Sequence, residues 1–243
     1  MTEVLALLSI LIVGVIFSLA GEVLFKPVET YKKSVAFALY GITSATLIMF
    51  FISYLCKKIG IQSPVVGSVK HLFAGMFFGA AATSLAGLLY LAVYRPRVSI
   101  DRFFADLNLQ LIANISPAVI EETAFRGGVV HLIFEYAGAA SGALGGGVIF
   151  GVAHLCGALV GRAVDLHLVL GASSAGLFLS LIYLRYGLGA AIAAHWLWNS
   201  FHGSWVGAFS IPIRGARALE ANWTTIIVFV LLSLIVAFVP LQS

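Results

Sequence analysis

Charged side chains are scarce in this chain. Asp, Glu, Lys and Arg make up 10% of its 243 residues, whereas 61% are hydrophobic. In a soluble domain about a quarter of the residues would be charged. Apolar runs of about twenty residues recur instead, which is the length an α-helix needs to cross a bilayer. The composition therefore excludes a soluble globular protein and predicts an all-α, polytopic integral membrane protein.

Cysteine and net charge are also low. The two cysteines, Cys56 and Cys156, lie far apart at or within apolar runs, which argues against a disulfide framework and a zinc ribbon. The formal net charge of +4 suits lysines and arginines collected in loops beside anionic lipid. We therefore expect membrane lipid as a partner and no nucleic acid.

Several segments are apolar enough to be transmembrane helices, and they predict a bundle of about eight. Short connections separate them, so we expect residues 1–243 to form a single membrane-embedded domain. The first segment lacks a basic region before it and follows Glu3, which favours a retained helix over a signal peptide. The predicted spans are 3–21, 35–56, 69–94, 117–134, 138–160, 166–184, 187–206 and 222–240.

Glycine and polar residues suggest which spans lie in the middle of the bundle. The fifth span contains two Gly-xxx-Gly pairs, which let a neighbouring helix approach closely, whereas the first, second and eighth spans are predicted to face lipid. Before the fourth span, IDRFFADLNLQLIANISP is typical of a helix lying in the membrane interface. Ser116 and Pro117 then resemble a helix N-cap and first residue, although a kink within a longer helix fits equally.

Three charges interrupt the fourth span, in the stretch AVIEETAFRGG. An ionised side chain at mid-bilayer costs about 2.5–3.5 kcal/mol, so three together point to a function. Glu122 and Arg126 are four residues apart and face each other on a helix, whereas Glu121 points about 100° away. The spacing nominates Glu121 as a reactive carboxylate and the Glu122–Arg126 pair as its support. The alternative is a structural ion pair that holds two helices together.

Two further motifs place histidine in other spans. FGVAH puts Phe150 and His154 on one face of the fifth span, and HWLWN does the same for His195 and Asn199 in the seventh. The second pair could stabilise an oxyanion or make an interhelical hydrogen bond. Glu121 and the two histidines could also form a zinc site. However, neither HExxH nor a close histidine pair on one helix is present.

Together these motifs resemble those of the CPBP family of intramembrane proteases, which includes the type II CAAX prenyl endopeptidases. The family's EExxxR, FxxxH and HxxxN occur here in order, each in a separate predicted helix, and the resemblance covers roughly residues 108–206, the expected catalytic core. It implies a glutamic-type intramembrane endopeptidase without a metal cofactor. By this resemblance Glu121 and His154 activate a water, and His195 and Asn199 stabilise the oxyanion.

The resemblance also implies supporting residues and a substrate class. Glu122 and Arg126 would orient the first glutamate or contact the substrate's terminus, and Phe150 would shape the pocket. The substrate would be a membrane-associated protein or peptide cut near its C-terminus, such as a lipid-modified protein or a C-terminal sorting tail. The compact chain is closer in style to prokaryotic members, so we expect the prokaryotic inner membrane.

Two other functions are compatible with the sequence. One is a non-proteolytic membrane regulator or bacteriocin-immunity-type protein on the same fold. The other is a transporter of protons or a small solute, because buried Glu, Arg and His also occur in proton pathways. The absence of broken helices in matching halves and of an inverted repeat disfavours the transporter.

Overall fold

The computed structural model describes residues 2–25, 31–161, 165–209 and 223–238, and every regular element in these ranges is helical. This confirms the all-α prediction. The helices are α1 (Thr2–Phe25), α2 (Tyr31–Ile59), α3 (Val69–Tyr94), α4 (Ile100–Ala113), α5 (Ile115–Glu122), a π-helix (Thr123–Val130), α6 (His131–Ala153), a 3₁₀-helix (His154–Val160), α7 (Leu166–Tyr186), α8 (Leu188–Ala208) and α9 (Trp223–Ala237).

Within the described ranges, five helical stretches are long and apolar enough to cross a membrane: α1, α2, α3, α7 and the continuous run Ile115–Val160. The protein is therefore an integral, multi-pass membrane protein. The predicted seventh span corresponds to α8. This helix contains several polar residues and is less apolar than the five stretches above. The predicted eighth span contains α9, a helix of 15 residues, and its predicted ends at 222 and 239–240 lie outside the described residues.

The run Ile115–Val160 is a helical hairpin that reverses at Gly138. This residue has φ 81° and ψ 174°, with helical residues on both sides. A Cβ added to Gly142 would lie 3.2 Å from the Cβ of Phe134, and one added to Gly146 would touch Val130. Because these pairs are symmetric about residue 138, the two legs run antiparallel. The legs are the predicted fourth and fifth spans.

We expect Gly138→Ala to lower the free energy of unfolding by about 1–3 kcal/mol, because this backbone region is essentially restricted to glycine. Among the described residues, no atom beyond the turn itself lies within 4 Å of the added Cβ, so the loss would be conformational rather than steric. Gly127→Ala is the matched control, since its Cβ would make an ordinary 3.5 Å contact with Leu188. Equilibrium unfolding in mixed micelles checks both variants, and equal losses would contradict the assignment of the turn.

The junction between α4 and α5 differs from the predicted N-cap. The side-chain amide of Asn114 donates hydrogen bonds of 2.9 Å to the carbonyl and side-chain oxygens of Gln110, which ends α4. The next helix therefore begins at Ile115, two residues before the start at Pro117 that the N-cap alternative predicts. Ser116 is fully buried inside α5 and faces Gly41 of α2, so the N-cap prediction was wrong. Pro117 still lies in the first turn, where a missing N–H costs no helical hydrogen bond.

The glycines of the fifth span have two different roles. Gly147 and Gly151 face α7, where a Cβ on Gly147 would lie 2.9 Å from the backbone nitrogen of Leu177. This pair provides the close helix contact that the sequence predicts. Gly157 and Gly161 do not form a second such pair, since Gly161 ends the 3₁₀-helix with φ 77°. The hairpin and α7 together position the polar residues described next.

Candidate active site

Glu121 and Glu122 are the last two residues of α5, and a π-helix follows them directly. At the end of this π-helix the backbone N–H of His131 bonds the carbonyl oxygen of Arg126, five residues earlier. Such segments are rare and occur frequently at functional sites. The sequence predicts a regular α-helix over Thr123–Val130, so the π-helix was not predicted.

Glu122 and Arg126 form a buried ion pair. The Arg126 Nη1 donates to the Glu122 Oε1 over 2.8 Å, and neither residue is exposed. The Nη2 donates to the carbonyl oxygen of Gly176 in α7 over 3.2 Å, and the guanidinium lies 4.3 Å from the centre of the Phe150 ring. The pair therefore links the π-helix to α6 and α7.

His195 of α8 is held by the same carboxylate. Its Nδ1 lies 2.7 Å from the Glu122 Oε1, to which it donates its proton. The other ring nitrogen, Nε2, faces Glu121 at 4.0 Å from Oε2. Glu122 therefore fixes both the tautomer and the orientation of His195. The sequence predicts only Arg126 as a partner of Glu122. The contact with His195 was not predicted, and it joins residues 73 positions apart in the chain.

His154 has a fixed tautomer as well. It lies at the junction of α6 and the 3₁₀-helix, and its Nδ1 donates to the carbonyl oxygen of Phe150 over 2.8 Å. The Nε2 of a neutral His154 then carries a lone pair. Its ring packs edge-on against Phe150, with ring centres 4.7 Å apart.

Glu121 and His154 line one cleft. The cleft has about 440 Å³ of empty space, part of it open to the exterior. Glu121 is 19% exposed there, in contrast to the fully buried Glu122. The walls combine apolar and polar side chains, and the lining residues are Val15, Ser18, Leu19, Glu121, Phe125, Phe150, Ala153, His154, Cys156 and Gly157.

Asn199 stands apart from the other candidate residues. It lies one helical turn after His195 on α8 and is half-buried, and among the described residues no hydrogen bond involves its amide. His195 is 5% exposed and lies next to Glu121, and it is not among the residues that line the cleft. The structure thus brings together Glu121, Glu122, Arg126, Phe150, His154 and His195, with Asn199 on the adjacent turn.

The helix α1 contributes to the cleft, contrary to the lipid-facing role that the sequence predicted for the first span. One face does point outward, with Ile12 and Ile16 more than half exposed. The opposite face supplies three lining residues, and the Ser18 hydroxyl donates to the Glu121 Oε1 over 3.4 Å. A serine in an apolar run was the only available signal, and the same run contains Ser9, which bonds its own helix.

The zinc site that the sequence allows would consist of Glu121, His154 and His195. Among the described residues, no group of three or more His, Cys, Asp or Glu is arranged to hold a metal ion. That the reaction proceeds without a metal ion stays a prediction.

Residues 104–201 match the family model of the type II CAAX prenyl endopeptidase Rce1-like proteins. The matched segment contains every candidate site residue. It runs from α4 into α8 and covers the hairpin, the π-helix and α7. This match confirms the family that the three motifs predicted. No curated protein matches the chain.

Proposed function

Since residues 104–201 belong to the Rce1-like family of CAAX-type intramembrane proteases, we propose that the protein is a glutamic-type intramembrane endopeptidase whose nucleophile is a water activated by Glu121 and His154. The observation that carries this proposal is the cleft, which is lined both by a partly exposed carboxylate and by an imidazole with a fixed tautomer.

In the first step the water attacks the carbonyl carbon of the scissile bond. The Glu121 carboxylate accepts a proton from the water, and the His154 Nε2 accepts its other hydrogen bond. A new C–O bond forms while the carbonyl electron pair moves to oxygen. When this oxyanion collapses, the C–N bond breaks and the leaving amine takes the proton from Glu121. The site thus balances the proton without any other donor.

The oxyanion is stabilised by His195 and Asn199. Because the His195 Nδ1 donates to Glu122, Nε2 donates to the oxyanion when the ring is in the imidazolium form, in which both nitrogens carry a proton. The Asn199 amide lies one turn further along the same helix and provides the second donor. His195 is oriented by Glu122 before the reaction and needs no reorganisation during it, which is the source of its effect on the rate.

Glu122 and Arg126 are positioning residues in this scheme. Full burial of Arg126, together with its bonds to Glu122 and Gly176, supports this role rather than contact with the substrate's terminus. Phe150 carries the guanidinium on its face and also lines the cleft, so it connects the buried pair to the substrate space.

The cleft favours an apolar segment of a membrane-associated protein or peptide. Its wall includes Val15, Leu19 and Phe125, and no lysine or arginine lines it among the described residues. A free α-carboxylate would therefore find no lysine or arginine in the described cleft lining, which favours an internal bond near the C-terminus over the terminal residue. A lipid-modified protein and a C-terminal sorting tail both fit this description. We place the protein in the prokaryotic inner membrane as part of the same proposal.

The test uses the purified protein in lipid vesicles with membrane-anchored peptides whose C-terminal regions are apolar. Mass spectrometry identifies new termini, with and without prior treatment by 1,10-phenanthroline and EDTA. We expect cleavage at an internal bond at the same rate after chelation. Loss of cleavage that returns with Zn²⁺ would instead establish a metal mechanism. A cellular effect that survives both Glu121→Ala and His154→Ala would favour the non-proteolytic alternative.

A further inference from the structure

The helix α1 lies outside the segment that matches the family, yet its position against the catalytic hairpin is closely defined. Gly14 lies against the backbone and Cβ of Ala124, and Gly128 lies against Ile10. These two contacts are four residues apart on each helix and run in opposite directions. They set an antiparallel register between α1 and the π-helix. One turn further in this register, Ser18 lies beside Glu121.

A second helix fixes α1 at the same level. The hydroxyl of Tyr40 in α2 donates to the carbonyl oxygen of Phe17 over 2.8 Å. A Cβ added to Gly21 would lie only 2.8 Å from the ring of Tyr40 and 3.0 Å from the ring of Phe37. Phe17 directly precedes Ser18, so these contacts with α2 hold the Ser18 backbone in place.

Within this frame the Ser18 hydroxyl turns away from its own helix. Ser9 of the same helix donates to the carbonyl oxygen four residues earlier, that of Leu5, over 2.7 Å. Ser18 donates instead to the Glu121 Oε1 at 3.4 Å, and no other hydrogen bond of this hydroxyl occurs among the described residues. Catalytic hydrogen bonds are often long before a substrate is bound and shorten in the complex.

The two oxygens of Glu121 therefore face different partners. Oε1 faces Ser18 of α1, and Oε2 faces the His195 Nε2 of α8 at 4.0 Å. A carboxylate with a donor at one oxygen has its rotation about the terminal bond restricted. Its second oxygen is then kept toward the histidine and the space where the water must bind.

We propose that Ser18 is a positioning residue for the reaction, which orients the Glu121 carboxylate through its hydroxyl and makes α1 a part of the catalytic site. The kinetic effect of Ser18 rests on the proposed hydrolysis, whereas the hydrogen bond between Ser18 and Glu121 does not depend on the proposed function.

The kinetic test compares Ser18→Ala, Ser18→Thr and the matched control Ser9→Ala on one cleaved peptide in vesicles. We expect Ser18→Ala to lower kcat about 10-fold with KM changed less than about 2-fold, since one hydrogen bond that orients the base is lost. Ser18→Thr keeps a hydroxyl and restores most of kcat, and Ser9→Ala equals the wild type. An unchanged kcat in Ser18→Ala, or a rise in KM alone, would overturn the proposal.

An infrared measurement decides the matter even if no peptide is cleaved. The difference spectrum between the wild type and Glu121→Gln isolates the carboxyl bands of Glu121, and the same difference is taken in the Ser18→Ala and Ser9→Ala backgrounds. We expect the Glu121 bands to shift in the first background and not in the second. Bands that stay in place in both would refute the contact. Shifted bands without cleavage by the wild type would leave Ser18 as a partner of Glu121 and disprove the proteolytic function.

Discussion

Replacing Glu121 with glutamine is expected to lower kcat by about 10²–10⁴-fold, the usual contribution of a general base. Glutamine keeps the size and shape of the side chain but cannot accept the proton of the water. Because Glu121 lines the cleft and is 19% exposed, the substitution leaves no buried charge unpaired, and the thermal stability should change little. Initial cleavage rates in vesicles, measured together with thermal unfolding, check this prediction.

Glu135→Gln is the matched control. This glutamate lies further along the same hairpin, in α6, and is exposed away from the cleft. Its replacement removes the same chemical group without touching the site, so the rate should stay that of the wild type. Cleavage by Glu121→Gln at the rate of the Glu135→Gln control would show that Glu121 is not the base.

Breaking the buried ion pair has the second large expected effect, on stability. Arg126→Met leaves the Glu122 carboxylate without its guanidinium, in a place where neither residue is exposed. Removing one partner of a buried pair costs about 3–5 kcal/mol, because the remaining charge is buried without its counter-charge, and here only the His195 hydrogen bond to Glu122 remains. Equilibrium unfolding in mixed micelles should show this loss, and cleavage should fall as well.

The double variant Glu122→Leu/Arg126→Met separates stability from catalysis. With both charges gone, no buried ion remains, so the free energy of unfolding should recover most of the loss seen in Arg126→Met. Cleavage should stay low, because His195 has lost the acceptor of its Nδ1 proton. A double variant that is as active as the wild type would show that the Glu122–His195 bond is not needed.

The parts of the site that the sequence predicted correctly are local in the chain. Glu122 and Arg126 are four residues apart, so helical geometry alone places them in contact. The reversal near residue 138 was likewise expected from two apolar runs separated by a short connection, and the glycine there supplies the backbone conformation that the turn needs. Such features depend on a few neighbouring residues, and periodicity is sufficient to predict them.

The parts that the sequence did not predict depend on tertiary contacts. The hydrogen bond between Ser18 and Glu121 joins residues 103 positions apart. This bond depends on the close contacts at Gly14 and Gly128 that pack α1 against the π-helix. No motif spacing predicts these contacts. The start of α5 was also predicted incorrectly because it depends on a side-chain contact. The Asn114 side chain donates to Gln110 and ends the preceding helix, and this contact determines where α5 begins.

The most direct test of the account is a structure of the protein with a peptide phosphinate, whose tetrahedral centre imitates the hydrated carbonyl. We expect one phosphinyl oxygen within about 2.6–3.2 Å of Glu121 and His154, and the other within hydrogen-bond reach of the His195 Nε2 and the Asn199 amide. A phosphinate bound in the cleft with its tetrahedral centre out of reach of Glu121 would show that this carboxylate does not activate the water.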